Sequence, residues 1–164
     1  MKIVVLKFGG SSVGSIKRIR KVADTIVLYL KKKYKVIVVS SAMSGDTNKL
    51  INKTKKISKN FSNEEYDALV SAGEQMSCPL IAGELISRGF KSKSWMSWQV
   101  PIFTEGKHKF SRISYIHKKN LLDYIKIGGV PVIAGFQGIN SKNRITTIGR
   151  GGSDASAIMF AKFF

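Results

Sequence analysis

The sequence predicts an α/β fold organised around a parallel sheet, on three observations. Apolar runs with little alternation, Lys2–Phe8, Lys35–Val39 and Pro131–Phe136, read as strands buried on both faces. The first two flank a stretch in which Ile16, Ile19, Val22, Ala23, Ile26 and Leu30 recur every three or four residues, the spacing of an amphipathic helix. Strand, helix, strand is then a parallel βαβ unit, because a parallel return needs a crossover. Third, glycine-rich loops follow strands, and in an open α/β sheet the ligand crevice lies beyond the carboxyl ends of the strands.

Taken in order, the first strand gives way to a turn at Gly9–Ser15, and the helix beginning at Ile16 closes on Lys31–Lys33, cations at the negative end of its dipole. After the second strand, a polar loop from Ser41 leads into a helix through about Lys56, and Asn60–Asn63 breaks it. Ser62 or Asn63 is expected to cap one long helix to Arg88, with Glu64 and Glu65 in its first turn, Pro79 and Gly83 as kink points and Gly89 as its terminating glycine. Lys91–Trp98 reads as extended, Pro101–Arg112 as irregular with a short hairpin, Ser114–Ile127 as a helix stopped by Gly128–Gly129, and Gly138–Thr147 as a hairpin. A last helix follows Gly152, with Ser153 or Asp154 as its cap. The length of 164 residues fits one domain, with no repeat and no linker.

Hydrophobic residues make up 43% of the chain, enough for a core. The single cysteine, Cys78, excludes an internal disulfide. His108 and His117 have no neighbouring Cys, so no metal-ligand cluster is expected. The opening apolar run is far short of the ~18 residues of a membrane span and lacks a secretory pattern, which reads as a cytoplasmic protein with no membrane partner. The net charge of +18 comes from 22 Lys and 6 Arg and attracts anions such as nucleotides. The lysines are spread along the chain without the interleaved Arg and aromatics of a nucleic-acid reader. A solvated lysine surface is the simpler reading, and a basic nucleic-acid-binding protein the remote one.

Four stretches carry candidate chemistry. In KFGGSS, Lys7–Ser12, glycines let backbone N–H groups approach a phosphate at a helix start, and Lys7 adds a mobile cation. The lysine precedes the glycines, so this is not the G-x-x-x-x-G-K-[ST] loop, and a tight βα turn with a surface lysine is the plainer alternative. Ser40, Ser41 and Thr47 in Val38–Asn48 offer hydroxyls near a strand end, or simply serve a loop. In GRGGSDASA, Gly149–Ala157, the planar fork of Arg150 suits a carboxylate and Asp154 suits an ammonium, so the pair could grip an α-amino acid by both charges. The alternative there is a capped loop with a surface arginine. Glu74 is either a further carboxylate facing the crevice or a solvated helix residue.

In combination, KFGGSSV at Lys7–Val13, VVSSAM at Val38–Met43, AGEQMS at Ala72–Ser77, IAGFQG at Ile133–Gly138 and TIGRGGSDASA at Thr147–Ala157 resemble the aspartate kinase family of amino-acid kinases. The resemblance covers nearly the whole chain in order. It implies a three-layer α/β/α sandwich on a mainly parallel sheet, and transfer of the γ-phosphoryl of ATP, as its Mg2+ complex, to the side-chain carboxylate of L-aspartate, the first step towards lysine, threonine and methionine. By that similarity Lys7 is catalytic, and Lys7, Phe8, Gly9 and Gly10 meet the ATP phosphates. Ser41, Thr47, Glu74, Arg150, Gly151, Gly152, Ser153 and Asp154 would form the aspartate site, with Glu74 and Asp154 facing the ammonium and Arg150 the carboxylate. No resident metal is implied. The family's chains are longer, with a nucleotide half and two ACT regulatory modules after the glycine loop. The expectation is therefore a C-terminally truncated, N-terminal part of a kinase domain over residues 1–164, in which Ile158, Phe160, Phe163 and Phe164 lie mostly on the surface. Two alternatives stay open: an inactive remnant, and a subunit that depends on a second chain or on a homo-oligomer.

Overall fold

The computed structural model describes residues 2–149 and 151–164. Its main sheet has four parallel strands, β1 (Ile3–Phe8), β2 (Lys35–Ser40), β3 (Ser92–Trp95) and β6 (Val130–Ala134), in the order β1-β2-β6-β3. A second sheet, in the order β5-β4-β7-β8, joins β4 (Ile102–Glu105), β5 (Arg112–Ile116), β7 (Gln137–Ile139) and β8 (Ile145–Thr147). The helices are α1 (Ile16–Lys31), α2 (Asp46–Ile57), α3 (Asn63–Val70), α4 (Ala72–Ser87), α5 (Lys119–Lys126) and α6 (Gly152–Phe163).

Alternate residues of a strand face opposite sides, and β2 shows what that requires when both sides are covered. Val36 and Val38 join one core with Ile19, Val22 and Ile26 of α1 and Ile81 and Leu85 of α4. Ile37 and Val39 join a second core with Leu121 and Ile125 of α5 and Phe160 of α6. Helices thus cover both faces of the main sheet, giving three α/β/α layers, as expected. The continuous apolar runs in the sequence are the imprint of this double burial.

Helix α1 begins where Ser15, in extended conformation, accepts the N–H of Arg18 at 3.3 Å, and it carries Lys31 in its last turn. The expected long helix over Ser62–Arg88 is two helices, parted at Ser71 rather than at Pro79 or Gly83; α4 continues through Pro79. The Ser71 hydroxyl donates back to the Ala68 carbonyl at 3.0 Å, and its own carbonyl accepts from Gln137 Nε2 at 3.1 Å. The Ser71 hydroxyl and Gln137 thus each take a share of a ladder carbonyl, and the bond from the Gln75 N–H to the Ser71 carbonyl is stretched to 3.4 Å at the join.

The expected helix over Ser114–Ile127 starts only at Lys119, and Arg112–Ile116 form β5 instead. That segment pairs antiparallel with β4, so the irregular stretch from Pro101 resolves into a hairpin spanning Ile102–Ile116. Pairing with a neighbour overrides a helical reading when the residues are β-branched and aromatic, as in RISYI. The β7–β8 hairpin forms as expected. Of the four residues expected on the surface of α6, only Ile158 is strongly exposed, at 67%; Phe160 is fully buried, and Phe163 and Phe164 pack beside it. Neither Ser153 nor Asp154 caps α6: Gly151 holds the cap position with φ 76°, and no side chain caps it.

Ile133→Ala, at a fully buried site in the central strand β6, should cost about 2–5 kcal/mol in urea unfolding. Ile57→Ala, at an exposed site, should stay within about 0.5 kcal/mol. Equal losses at the two sites would contradict the layer assignment.

Candidate functional site

The carboxyl ends of the main-sheet strands lie level, with Phe8 beside Ser40 and Ser40 beside Ala134. The segments leaving β1, β2 and β6 are thereby brought together with the start of α6. They enclose an open cleft of about 300 Å³ lined by Lys7, Gly10, Ser41–Gly45, Thr47, Glu74, Phe136 and Gly151–Asp154. Of the residues expected in a site, Lys7, Gly10, Ser41, Thr47, Glu74, Gly151, Gly152, Ser153 and Asp154 all meet here. Arg150 lies outside the described residues.

Phe8 and Gly9 do not line this cleft. Phe8 packs on the first core and borders a separate open groove with Ser11, Ser12, Arg18 and Lys21. A Cβ on Gly9 would stand 3.4 Å from Lys7 Nζ, and its carbonyl accepts the N–H of Ser12 at 2.8 Å. The glycine loop therefore separates two spaces, with Gly10 on the cleft side.

Two glycines are set by close approach. A Cβ at Gly10 would lie 2.9 Å from the Ala42 carbonyl, and one at Gly152 would lie 2.6 Å from the Phe136 ring. Phe136 itself holds φ 67°, a conformation that costs a bulky residue about 1–3 kcal/mol. Its N–H donates to Ser156 Oγ at 3.1 Å and its carbonyl accepts from Ile148 N–H at 2.9 Å, which offsets that strain. Phe136, Ala42, Met43, Ser44 and Gly45 were missed from sequence as lining residues; the IAGFQG match carried Phe136 without singling it out.

Charge in the cleft is opposed. Lys7, at the end of β1, reaches Asp154 in the first turn of α6, Nζ to Oδ1 2.9 Å. Asp154 is thus engaged by a cation of this chain. Glu74 is 3% exposed, so it is not a solvated helix residue. Its Oε1 accepts the Ala42 N–H at 3.0 Å, while its buried Oε2 has no partner among the described residues. Burial pushes its pKa up to about 7 against the opposing pull of the Ala42 N–H. The first turns of α2 and α6 both border the cleft, bringing free N–H groups and the positive ends of two helix dipoles. Behind them, Ser77 Oγ donates to the Ser41 carbonyl at 2.7 Å and holds the β2 loop against α4.

Such a site can hold a small zwitterion: the uncovered Glu74 oxygen suits an ammonium, and the N–H groups with Lys7 suit anionic oxygens. Among the described residues no group of three or more His, Cys, Asp or Glu is placed to hold a metal ion, and no helix is long and apolar enough to cross a membrane.

A carbon-detected titration of Glu74 should show a midpoint at about 7. The unfolded chain ionises this carboxyl first, so stability falls as pH rises from the ordinary carboxyl range through about 7. That fall is on the order of 3 kcal/mol in all, and Glu74→Gln should remove it in urea titrations at pH 5 and pH 8. An equally steep fall in the variant would assign it to another group.

The amino acid kinase family profile matches residues 2–164. An aspartokinase of Rickettsia felis is 42% identical over 164 residues, covering 98% of this chain and 41% of that protein. One of Geobacillus stearothermophilus is 44% identical over 161 residues, covering 98% and 40%. The chain thus spans about two fifths of the length of these curated relatives. Among solved structures, the aspartate kinase from Synechocystis superposes with a TM-score of 0.81 at 40% identity, over 98% of this chain and 26% of that one. The E. coli aspartokinase III in complex with aspartate and ADP gives 0.79 at 24% identity, over 97% and 47%, a likeness of fold. On the profile match over residues 2–164 and the likeness to these relatives, the chain belongs to the amino acid kinase family.

Proposed function

We propose that this chain carries the amino-acid subsite and the phosphate-facing loop of an aspartate kinase. The observation that carries the reading is the cleft in which an uncovered, buried Glu74 oxygen stands with the Lys7–Asp154 pair between two helix N-termini. The aspartokinase relatives and the solved aspartokinase complex with aspartate and ADP support it.

In this reading the side-chain carboxylate of L-aspartate attacks the γ-phosphorus of MgATP, ADP leaves, and 4-phospho-L-aspartate forms. Aspartate is already ionised at neutral pH, so no protein base is needed. Catalysis is then positioning and charge stabilisation. Lys7 leaves Asp154 for the transferring phosphoryl, and the N–H groups of Gly9 and Gly10 face the phosphates beside Phe8. Ser41 and Thr47 border the aspartate. Glu74 and the released Asp154 take its ammonium, the N–H groups of Gly151–Ser153 face its carboxylates, and Arg150 pairs with its α-carboxylate. Mg2+ arrives with the nucleotide as part of the substrate. The product would enter lysine, threonine and methionine synthesis in the cytoplasm.

In a second reading, adenine and ribose are held by kinase polypeptide outside these 164 residues, which span about two fifths of the relatives' length.

Hydroxylamine trapping with MgATP and L-aspartate tests both. The wild-type chain, alone or supplemented with the remaining polypeptide of a relative, should yield aspartyl hydroxamate. Lys7→Ala should lower kcat by about 100-fold or more with little change in the aspartate KM. Product only after supplementation selects the second reading. No product in either case would overturn the kinase assignment for this chain.

A further inference from the structure

Asp67, in α3, is fully buried and outside the cleft, yet its carboxylate gathers contacts from two other parts of the chain. Oδ1 accepts the Thr147 hydroxyl at 2.5 Å. Both oxygens accept the Lys109 N–H at 3.1 Å, and Oδ2 stands 2.7 Å from His108 Nδ1. A carboxylate only accepts, so the His108 ring carries its proton on Nδ1 here. A buried acid is retained at a cost in desolvation where apolar packing would serve stability as well. The contacts say what this one holds.

Thr147 ends β8, and the chain then passes through Ile148 and Gly149 into the glycine loop. A Cβ at Gly149 would stand 3.3 Å from the Phe110 ring and 3.8 Å from the Lys109 carbonyl, so the turn that Asp67 holds also backs that loop. On its other side α3 passes through Ser71 directly into α4 and Glu74. The Ser71 N–H donates to the Asp67 carbonyl at 3.1 Å, and the Ser71 carbonyl is taken by Gln137 beside the β6–β7 turn. Asp67 therefore lies between the two walls of the cleft: its carboxylate holds the approach to the glycine loop, and its backbone belongs to the helix that leads to Glu74.

We propose that Asp67, acting through Thr147 and the His108–Lys109 turn, is a positioning residue that sets the glycine loop against Glu74 and so shapes the amino-acid subsite. The ligand part of this statement rests on the aspartate reading above; the loop part does not.

The test uses three variants of the full chain. Thr147→Val removes one hydroxyl at nearly constant shape, His108→Ala removes the ring donor, and His108→Asn returns a donor near the Nδ1 position. Two quantities are read: hydrogen exchange at the amides of Gly149 and Gly151–Asp154, and the dissociation constant for L-aspartate. Exchange in β2 reports on the fold. Thr147→Val and His108→Ala should each speed loop exchange and weaken L-aspartate by about tenfold, with β2 unchanged. His108→Asn should recover most of both. Should Thr147→Val fail to fold, the His108 pair reads the same contact. Unchanged loop exchange, or faster exchange spread equally into β2, overturns the proposal. If the wild-type chain binds no L-aspartate, the aspartate reading falls, and loop exchange alone decides the positioning role.

Discussion

The cleft depends on the register in which three parallel strands end. Phe8, Ser40 and Ala134 stand side by side, so the chain leaves the main sheet three times at one level. The bond from Gly135 N–H to the Ser40 carbonyl, 3.0 Å, and that from Ser41 N–H to the Phe8 carbonyl, 3.0 Å, extend the ladder one step beyond the strands. From there the segments have nowhere to go but against each other. That is why Gly10 meets the Ala42 carbonyl, and why Gly152 fits only beside Phe136. A slip of one residue would turn the inward valines of β2 to the opposite layer and separate these contacts, so packing on both faces enforces the register.

The same constraint organises the charges. Lys7 is the penultimate residue of β1 and Asp154 sits in the first turn of α6; the sheet end is where they meet. The burial of Phe160 in the second core anchors α6 so that its first turn stays at the cleft. Glu74 comes from the opposite layer, on the face of α4 that also buries Ser77, Cys78, Ile81 and Leu85. A chain of net charge +18 has no shortage of cations, and yet among the described residues none pairs with the buried Glu74 Oε2 at the cleft. In a protein interior that is a costly arrangement, and an arriving ammonium relieves it.

The strands of the main sheet were legible because burial on both faces writes an unbroken apolar run. The amphipathic α1 was legible because its polar face is solvated. The break at Ser71 was not, since it arises from a contact with Gln137 far along the chain, while Pro79 and Gly83 offered false markers. The strand β5 was misread as helix because RISYI fits either period and only its partner β4 decides. The glycine loops announced a site, but the Lys7–Asp154 pairing spans nearly the entire sequence and follows from topology alone. The burial of Glu74 was not legible: α4 carries apolar residues on its exposed face too, Met76, Leu80 and Ile86 among them, so only packing decides that Glu74 joins the buried face with Ser77, Cys78 and Ile81.

In the proposed reading Glu74 is the buried carboxyl that receives the ammonium of the amino acid. The most direct test is calorimetric titration of the chain with L-aspartate at pH 7 in two buffers of different ionisation enthalpy, with succinate as the ligand lacking the amine. An entering ammonium favours the ionised form of Glu74, so L-aspartate should release protons on binding, and succinate should bind more weakly without that release. Equal heats in the two buffers, or succinate binding as tightly as L-aspartate, would contradict it.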